Sequence, residues 1–222
     1  MRIRYKKWAR PELEACSFYI DNPEENKGKW HSIFRNKGLL YIELGCGKGA
    51  FISKLAVSNP EINFIGVDLV DAMLGLSKRN IEKVYKEAKK DTDNVIITRH
   101  DIERISLFMS KEDVVDRIYI NFCNPWPKPK HRKKRLTHTK QLKLYREFLR
   151  NGGDIYFKTD DDGLFTDSLK YFEEAGFDII NKTYDLHNQN IFEDNIETEH
   201  EKMFTEEGKT IKALIARKKE EE

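Results

Sequence analysis

Hydrophobic and polar positions along this chain switch repeatedly between two periods. Residues 39–44 hold an apolar run (Leu39, Leu40, Ile42, Leu44) too short for a helix, and three glycines follow it: Gly45, Gly47 and Gly49. Phe51, Ile52, Leu55 and Ala56 then recur at helical spacing. That sequence reads strand, glycine turn, helix. The alternation continues with a strand over 63–68 and an amphipathic helix over 70–90. The helix is apolar at Val70, Met73, Leu74, Ile81, Val84, Tyr85 and Ala88, with Ser77 in the same stripe. Further strands are predicted at 95–98, 114–122 and 153–159. Helices are predicted at 139–149 (Leu142, Tyr145, Phe148, Leu149) and 162–175 (Phe165, Leu169, Phe172). The tail changes character: a strand over 179–184, a hairpin-like return over 203–216 around Gly208, and a charged, frayed end over 217–222. Repeating β/α units predict an α/β fold with a mostly parallel sheet. Residues 39–222 read as one domain, and 1–38 as an N-terminal basic extension in which 22–30 is turns and loop.

The glycine turn is the first candidate for chemistry. Glycine adopts backbone angles that other residues resist, and a missing Cβ lets a ligand approach the main chain. GCGKGA fits the dinucleotide pattern G-x-G-x-x-A, which is weak alone, and it lacks the spacing of a triphosphate-binding loop. Glu43, two residues before Gly45, adds a carboxylate suited to a ligand that carries an ammonium group. S-adenosylmethionine carries one and NAD does not. Asp68 ends the second strand about twenty residues beyond Gly47, where an acid holds a ribose hydroxyl pair in such folds. Asp101 leaves the third strand at its C-terminal end, the ligand side of an open parallel sheet. The pattern E-x-G-x-G-x-G resembles the first motif of class I methyltransferases.

Composition bounds the rest. The chain has 222 residues, 35% of them charged and 11% aromatic, with a net charge of only +2. This suits one soluble domain with a real core. The small net charge makes any polyanion partner a matter of local clustering. Cys16, Cys46 and Cys123 are odd in number and far apart, which argues against a disulfide framework or a zinc site. The six histidines show no ligand spacing, so no metal is expected. No run reaches membrane-span length, and no apolar stretch follows the basic N-terminus, so a cytoplasmic location is expected and a secretory signal is not. Arg2, Arg4, Lys6, Lys7 and Arg10, interleaved with Tyr5 and Trp8, suit either an RNA-touching arm or a solvated terminus.

Local clustering is found after the fourth strand, in NPWPKPKHRKKRLT. Two prolines stiffen a turn carrying Asn124 and Trp126, a place to hold a flat base. Six of the eight residues 128–135, Lys128 and Arg132 among them, are Lys or Arg, which points to phosphate binding. Two further polar stretches are Lys158-Thr159-Asp160, closing the fifth strand, and Thr198-Glu199-His200-Glu201 before the tail. A carboxylate in either can accept from the Watson–Crick edge of guanine. Helix capping by Asp160 and Asp161, and solvent exposure of the Glu pair, are the plainer alternatives.

Taken in order, MRIRYKKWA, NPEENKGKW, IELGCGKG, GVDL, NPWPKPKHRKKRLT, FKTD and TEHEKMF resemble, over nearly the whole chain, the bacterial tRNA (guanine-N7)-methyltransferases of the TrmB type. The resemblance implies a class I S-adenosylmethionine-dependent, Rossmann-like fold with a seven-stranded sheet whose last strand is antiparallel. It implies transfer of a methyl group from S-adenosylmethionine to N7 of a variable-loop guanine in tRNA. It places Glu43, Asp68, Asp101 and Asn124, with Gly45, Gly47 and Gly49, at the donor. It places Lys128, Arg132, Asp160, Thr198 and Glu201 at the tRNA guanosine, with Asp160 as the catalytic group. A monomer and a homodimer both fit it. Asn124 stands where the family usually has Asp, which also makes the loop look like the N-P-P-Y motif of amino-methylating enzymes. An amino-methyltransferase and a non-catalytic tRNA-binding protein on the same fold therefore remain as alternatives.

Overall fold

The strands form where the apolar runs lie, and their burial explains why. In the computed structural model, which describes residues 4–192 and 195–220, all five residues of β2 (Leu40–Leu44) are buried. So are the first five of β3 (Asn63–Asp68). Continuous rather than alternating burial is the mark of parallel strands covered on both faces. The chain divides into two units, residues 1–113 and 114–222.

The first unit carries α1 (Ala9–Glu14), β1 (Tyr19–Ile20), a 3₁₀ turn (Pro23–Asn26), α2 (Trp30–Ile33) and β2. Then come α3 (Ala50–Ser58), β3, α4 (Asp71–Ala88), β4 (Val95–Arg99) and a second 3₁₀ turn (Ile102–Leu107). Its strands run in the order β1-β4-β3-β2, all parallel. The register sets Glu43 opposite Gly66 and Asp68 opposite Arg99, so three strands end together where the glycine turn begins. The predicted stripe of α4 is largely buried, with Leu74, Ser77, Ile81 and Tyr85 inward. Trp8 and Ala9 at the start of α1 pack against Gly75 of α4. The 22–30 segment is tied down by the buried Asp113 carboxylate. It accepts from the Gly28 N–H at 2.6 Å, the Trp30 N–H at 3.1 Å and the Ser110 N–H at 3.0 Å.

The second unit carries β5 (Val115–Asn121), a 3₁₀ turn (Pro129–Lys134), α5 (Thr139–Phe148) and β6 (Leu149–Thr159). These are followed by α6 (Asp162–Glu174), β7 (Phe177–Thr183), α7 (Glu199–Glu206) and β8 (Lys212–Lys218). Strand order is β5-β6-β8-β7; β5 and β6 are parallel, and β8 is antiparallel to both of its neighbours. An antiparallel last strand is as expected. Leu186, Phe192, Ile211, Ala213 and Ile215 form a satellite core under the connection between β7 and β8, joined by Phe122, Tyr156 and Phe204.

Three expectations are corrected. The described residues hold eight strands rather than seven, because Tyr19 and Ile20 pair with Ile97 and Thr98. The hairpin-like return over 203–216 is instead the end of α7, a turn at Gly208 (φ +73°), and β8. A capping box starts that helix, with Thr198 and Glu201 each bonding the other's main chain. The end is not frayed from 217 onward. Arg217 makes two bonds to Asp154 at 2.8 and 2.9 Å, and the Lys218 ammonium donates to the Arg146 and Leu149 carbonyls. Arg2 of the basic extension, and Glu221 and Glu222 of the tail, lie outside the described residues.

Candidate active site

The glycine turn has the geometry that its sequence demands. Gly45, Gly47 and Gly49 have φ of +85°, +54° and +72°, the left-handed region that side chains resist. Gly45 and Cys46 donate to the Val67 carbonyl at 2.9 and 3.0 Å, which ties the turn to β3. Gly49 is the N-cap of α3, and a Cβ there would overlap the Ser77 side chain. At Gly47 a Cβ would meet nothing within 4 Å. Gly49 is therefore needed for packing, whereas Gly47 opens onto free space at a helix N-terminus, the setting for a ligand.

Three acids stand at or just past the strand ends of the first unit. Glu43 is 4% exposed. Asp68 accepts from the Gly47 N–H and from the Val70 N–H, both at 2.9 Å. Burial raises its carboxyl above the ordinary value, against the lowering effect of those bonds. A carboxylate has about four acceptor sites, which leaves room for a ribose hydroxyl beside the main-chain donors Gly47, Val70 and Leu69. Asp101 caps the 3₁₀ turn after β4, accepting from the Glu103 N–H at 3.0 Å. Beside it, His100 bonds Glu24 at 3.1 Å. Burial pushes the Cys46 thiol well up, which leaves it a packing group rather than a nucleophile. An open Gly47 position, main-chain N–H groups and acids of this kind fit S-adenosylmethionine.

In the second unit the turn after β5 is strained. Phe122 and Trp126 have φ of +51° and +42°, uncommon for such residues and held only where the surroundings enforce it. Asn124 accepts from the Trp126 N–H at 3.1 Å. An Asp oxygen would accept the same bond, so Asn here keeps the shape of the loop. Trp126 packs beside His131, with the Lys134 ammonium 5.4 Å from its ring.

The basic run divides in two. Lys128, Lys130, Arg132, Lys133 and Lys134 are exposed, whereas Arg135 is buried. Arg135 donates to the Pro125 carbonyl at 2.7 Å and pairs with Asp167 at 2.6 Å, so it braces the proline turn. Arg132 also reaches Asp167, at 3.3 Å.

Asp160, Asp161 and Asp162 line a cleft of about 430 Å³ with Gly208, Lys209, Thr210 and Lys212. Asp161 caps α6 through the Leu164 N–H at 2.6 Å, and Asp162 pairs with Lys212 at 2.8 Å. To the hydrogen bonds of the described residues Asp160 contributes its main-chain carbonyl, which accepts from Lys212 at 3.1 Å. Thr198 and Glu201 lie elsewhere than solvent. Thr198 is buried, and Glu201 is 0% exposed, paired with Lys158 at 2.7 Å. Sequence reasoning named the Lys158-Thr159-Asp160 stretch without giving Lys158 a role, and passed over Asn195. A lysine inside an apolar strand, next to Phe157, is a signal that a buried partner must exist.

The family model described as "Putative methyltransferase" matches residues 37–214. A "tRNA (guanine-N(7)-)-methyltransferase" of Clostridium beijerinckii is 59% identical, covering 98% of this chain and 99% of that protein. One of Clostridium perfringens (strain 13 / Type A) is 54% identical over 98% of this chain and all of that protein (100%). Among solved structures, the 16S rRNA methyltransferase KamB aligns with a TM-score of 0.59 at 13% identity, covering 98% of this chain and 96% of that one. That likeness speaks to the fold alone, and it is the fold of the class I methyltransferases. Glycine turn, acids at the strand ends and near-full-length relatives agree: the chain belongs to the tRNA (guanine-N(7)-)-methyltransferase family.

Proposed function

We propose that this chain transfers a methyl group from S-adenosylmethionine to N7 of a variable-loop guanine in tRNA. The observation that carries the reading is the glycine turn, open at Gly47 and tied to Asp68 by a 2.9 Å bond. Its Glu43, Gly45, Gly47, Gly49, Asp68 and Asp101 are the residues to hold the donor. When bound, S-adenosylmethionine supplies an electrophilic methyl group on a sulfonium centre.

Guanine N7 is an acceptor with a free lone pair and no proton. No general base is needed, and the protein's task is alignment. Asp160 is the carboxylate assigned to the base: it accepts from the guanine edge and offsets the positive charge that develops on the purine. Lys128, Arg132 and the exposed lysines after them hold tRNA phosphates. Asn124 holds its turn through the Trp126 N–H, a structural use that weakens the amino-methyltransferase alternative. The test is methyl transfer from labelled donor to unmodified tRNA by the wild type and by Asp160→Ala. The wild type labels tRNA, and the variant loses turnover severely while donor affinity persists. Unchanged turnover in the variant would remove Asp160 from the reaction.

A further inference from the structure

The mechanism leaves unused the most deeply buried charge pair among the described residues of the second unit. Lys158 sits in β6 between Phe157 and Thr159, all three buried. Its ammonium donates to Glu201 Oε2 at 2.7 Å, Asn195 Oδ1 at 3.0 Å and the Ile196 carbonyl at 3.1 Å. Glu201 is used with equal thoroughness. Its Oε1 accepts from the Asn195 amide at 3.0 Å and lies 3.5 Å from His187 Nε2; its Oε2 also accepts from the Thr198 N–H at 3.3 Å. A hydrophobic pair in such a place often stabilises a fold as well or better. A fully hydrogen-bonded buried ion pair instead fixes one arrangement of the chain.

What it fixes can be traced in a closed ring of interactions. The main-chain carbonyl of Lys158 accepts from the Phe122 N–H at 2.9 Å. The Phe122 ring stacks on His200, with centroids 6.1 Å apart and planes at 22°, and meets Phe204 at 5.9 Å. His200 and Phe204 belong to α7, which also carries Glu201 back to the Lys158 side chain. Lys158 thus holds the ring from both sides, by main chain and by ammonium. Phe122 opens the strained turn that leads to Asn124 and Trp126, and Asp160 lies two residues beyond Lys158.

We infer that Lys158 and Glu201 form a latch, a positioning pair that keeps α7 on Phe122. The latch thereby fixes both the 124–126 turn and Asp160 for the base. This rests on the reading of Asp160 as the base-holding carboxylate. It gives Glu201 a role other than contact with guanine, and it adds Lys158 to the residues on which turnover depends.

A double-mutant cycle tests the latch: Lys158→Met, Glu201→Gln and the two combined. The readouts are kcat and KM for unmodified tRNA, donor affinity by calorimetry, and amide exchange over residues 195–206. Each single change lowers kcat on the order of 10²-fold, the effect of about 1 Å of misplacement, and leaves donor affinity unchanged. The double variant is no slower than the slower single, because a latch opened from one side is not opened further from the other. Exchange over 195–206 rises in all three, and Lys158→Arg retains more turnover than Lys158→Met. Losses that multiply in the double variant would mean that Glu201 touches the substrate on its own account, and would overturn the latch. So would wild-type kcat in folded Lys158→Met. If Lys158→Met does not fold, Glu201→Gln and Lys158→Arg decide: lowered kcat with faster exchange supports the latch, and lowered kcat with unchanged exchange overturns it. Should the wild type leave tRNA unmethylated, the functional reading fails, and exchange still reads the latch.

Discussion

Gly47 and Gly49 share a backbone conformation and differ in what a methyl group would meet. Gly49→Ala drives a Cβ into the Ser77 side chain at a φ of +72°. Strain and clash together destabilise by more than about 1 kcal/mol, visible as a lowered melting temperature. Gly47→Ala meets no atom within 4 Å. It carries only the left-handed strain of about 1–2 kcal/mol, and its main loss is donor affinity, because the methyl group enters the space assigned to the donor. Calorimetry separates the two; equal donor affinity in wild type and Gly47→Ala contradicts the assignment of that space. Asp68 adds a pH dependence. Burial raises its folded-state pKa above the unfolded value, so its protonated form contributes stability at low pH that is lost as pH rises through the folded value. Donor binding runs the opposite way, since the ionised form accepts hydroxyl protons. Donor affinity therefore falls on acidification, starting above the ordinary Asp range, and Asp68→Asn removes that step. An identical pH profile in the variant contradicts the role.

At the scale of elements, the basic run is two structures under one composition. Arg135→Ala removes the brace between the Pro125 carbonyl and Asp167 and leaves the half-buried Asp167 carboxylate with Arg132 alone. It should destabilise by about 1.5–3 kcal/mol through the lost charge-assisted hydrogen bonds, whereas alanine at the exposed Lys133 should cost under about 0.5 kcal/mol. Thermal melts distinguish them, and equal melts would mean that the brace contributes nothing. Burial within a run of like charges has no local sequence signal, which is why residues 128–135 read as one patch. The strands at 63–68 and 95–98 were legible to within a residue or so, because parallel strands buried on both faces are near-continuous apolar runs; the strand at 114–122 was legible from its apolar 118–120 stretch, although Asp116 and Arg117 interrupt the run. β1 was not legible: two residues, Tyr19 and Ile20, carry no period. α7 was legible in principle. Thr198 and Glu201 spell a capping box, but the family resemblance drew both toward substrate, and the exposed Met203 blurred the helical stripe.

For the molecule as a whole, a net charge of +2 means that tRNA affinity depends on where the charge is placed. Five exposed cations, Lys128, Lys130, Arg132, Lys133 and Lys134, stand in one short segment. Replacing them together with alanine should weaken tRNA binding. It should also flatten the dependence of log affinity on log salt, by roughly 0.7–0.9 for each phosphate the protein no longer neutralises. An unchanged slope in a filter-binding titration would make the segment a solvated face. The class I fold was legible from the order of motifs, since E-x-G-x-G-x-G, a following acid and late antiparallel strands leave few alternatives. The assignment of Asp160 to the base came from the resemblance alone, because Asp160, Asp161 and Asp162 are adjacent and alike in sequence and differ only in what they bond. The most direct measurement of the central claim is methyl transfer to unmodified tRNA followed by borohydride reduction and aniline cleavage, which cuts the strand at 7-methylguanosine. One cut is expected, at a variable-loop guanosine, and it requires both protein and donor. Label without a cut would place the methyl on another atom, and no label on bound tRNA would leave a binding protein; either contradicts it.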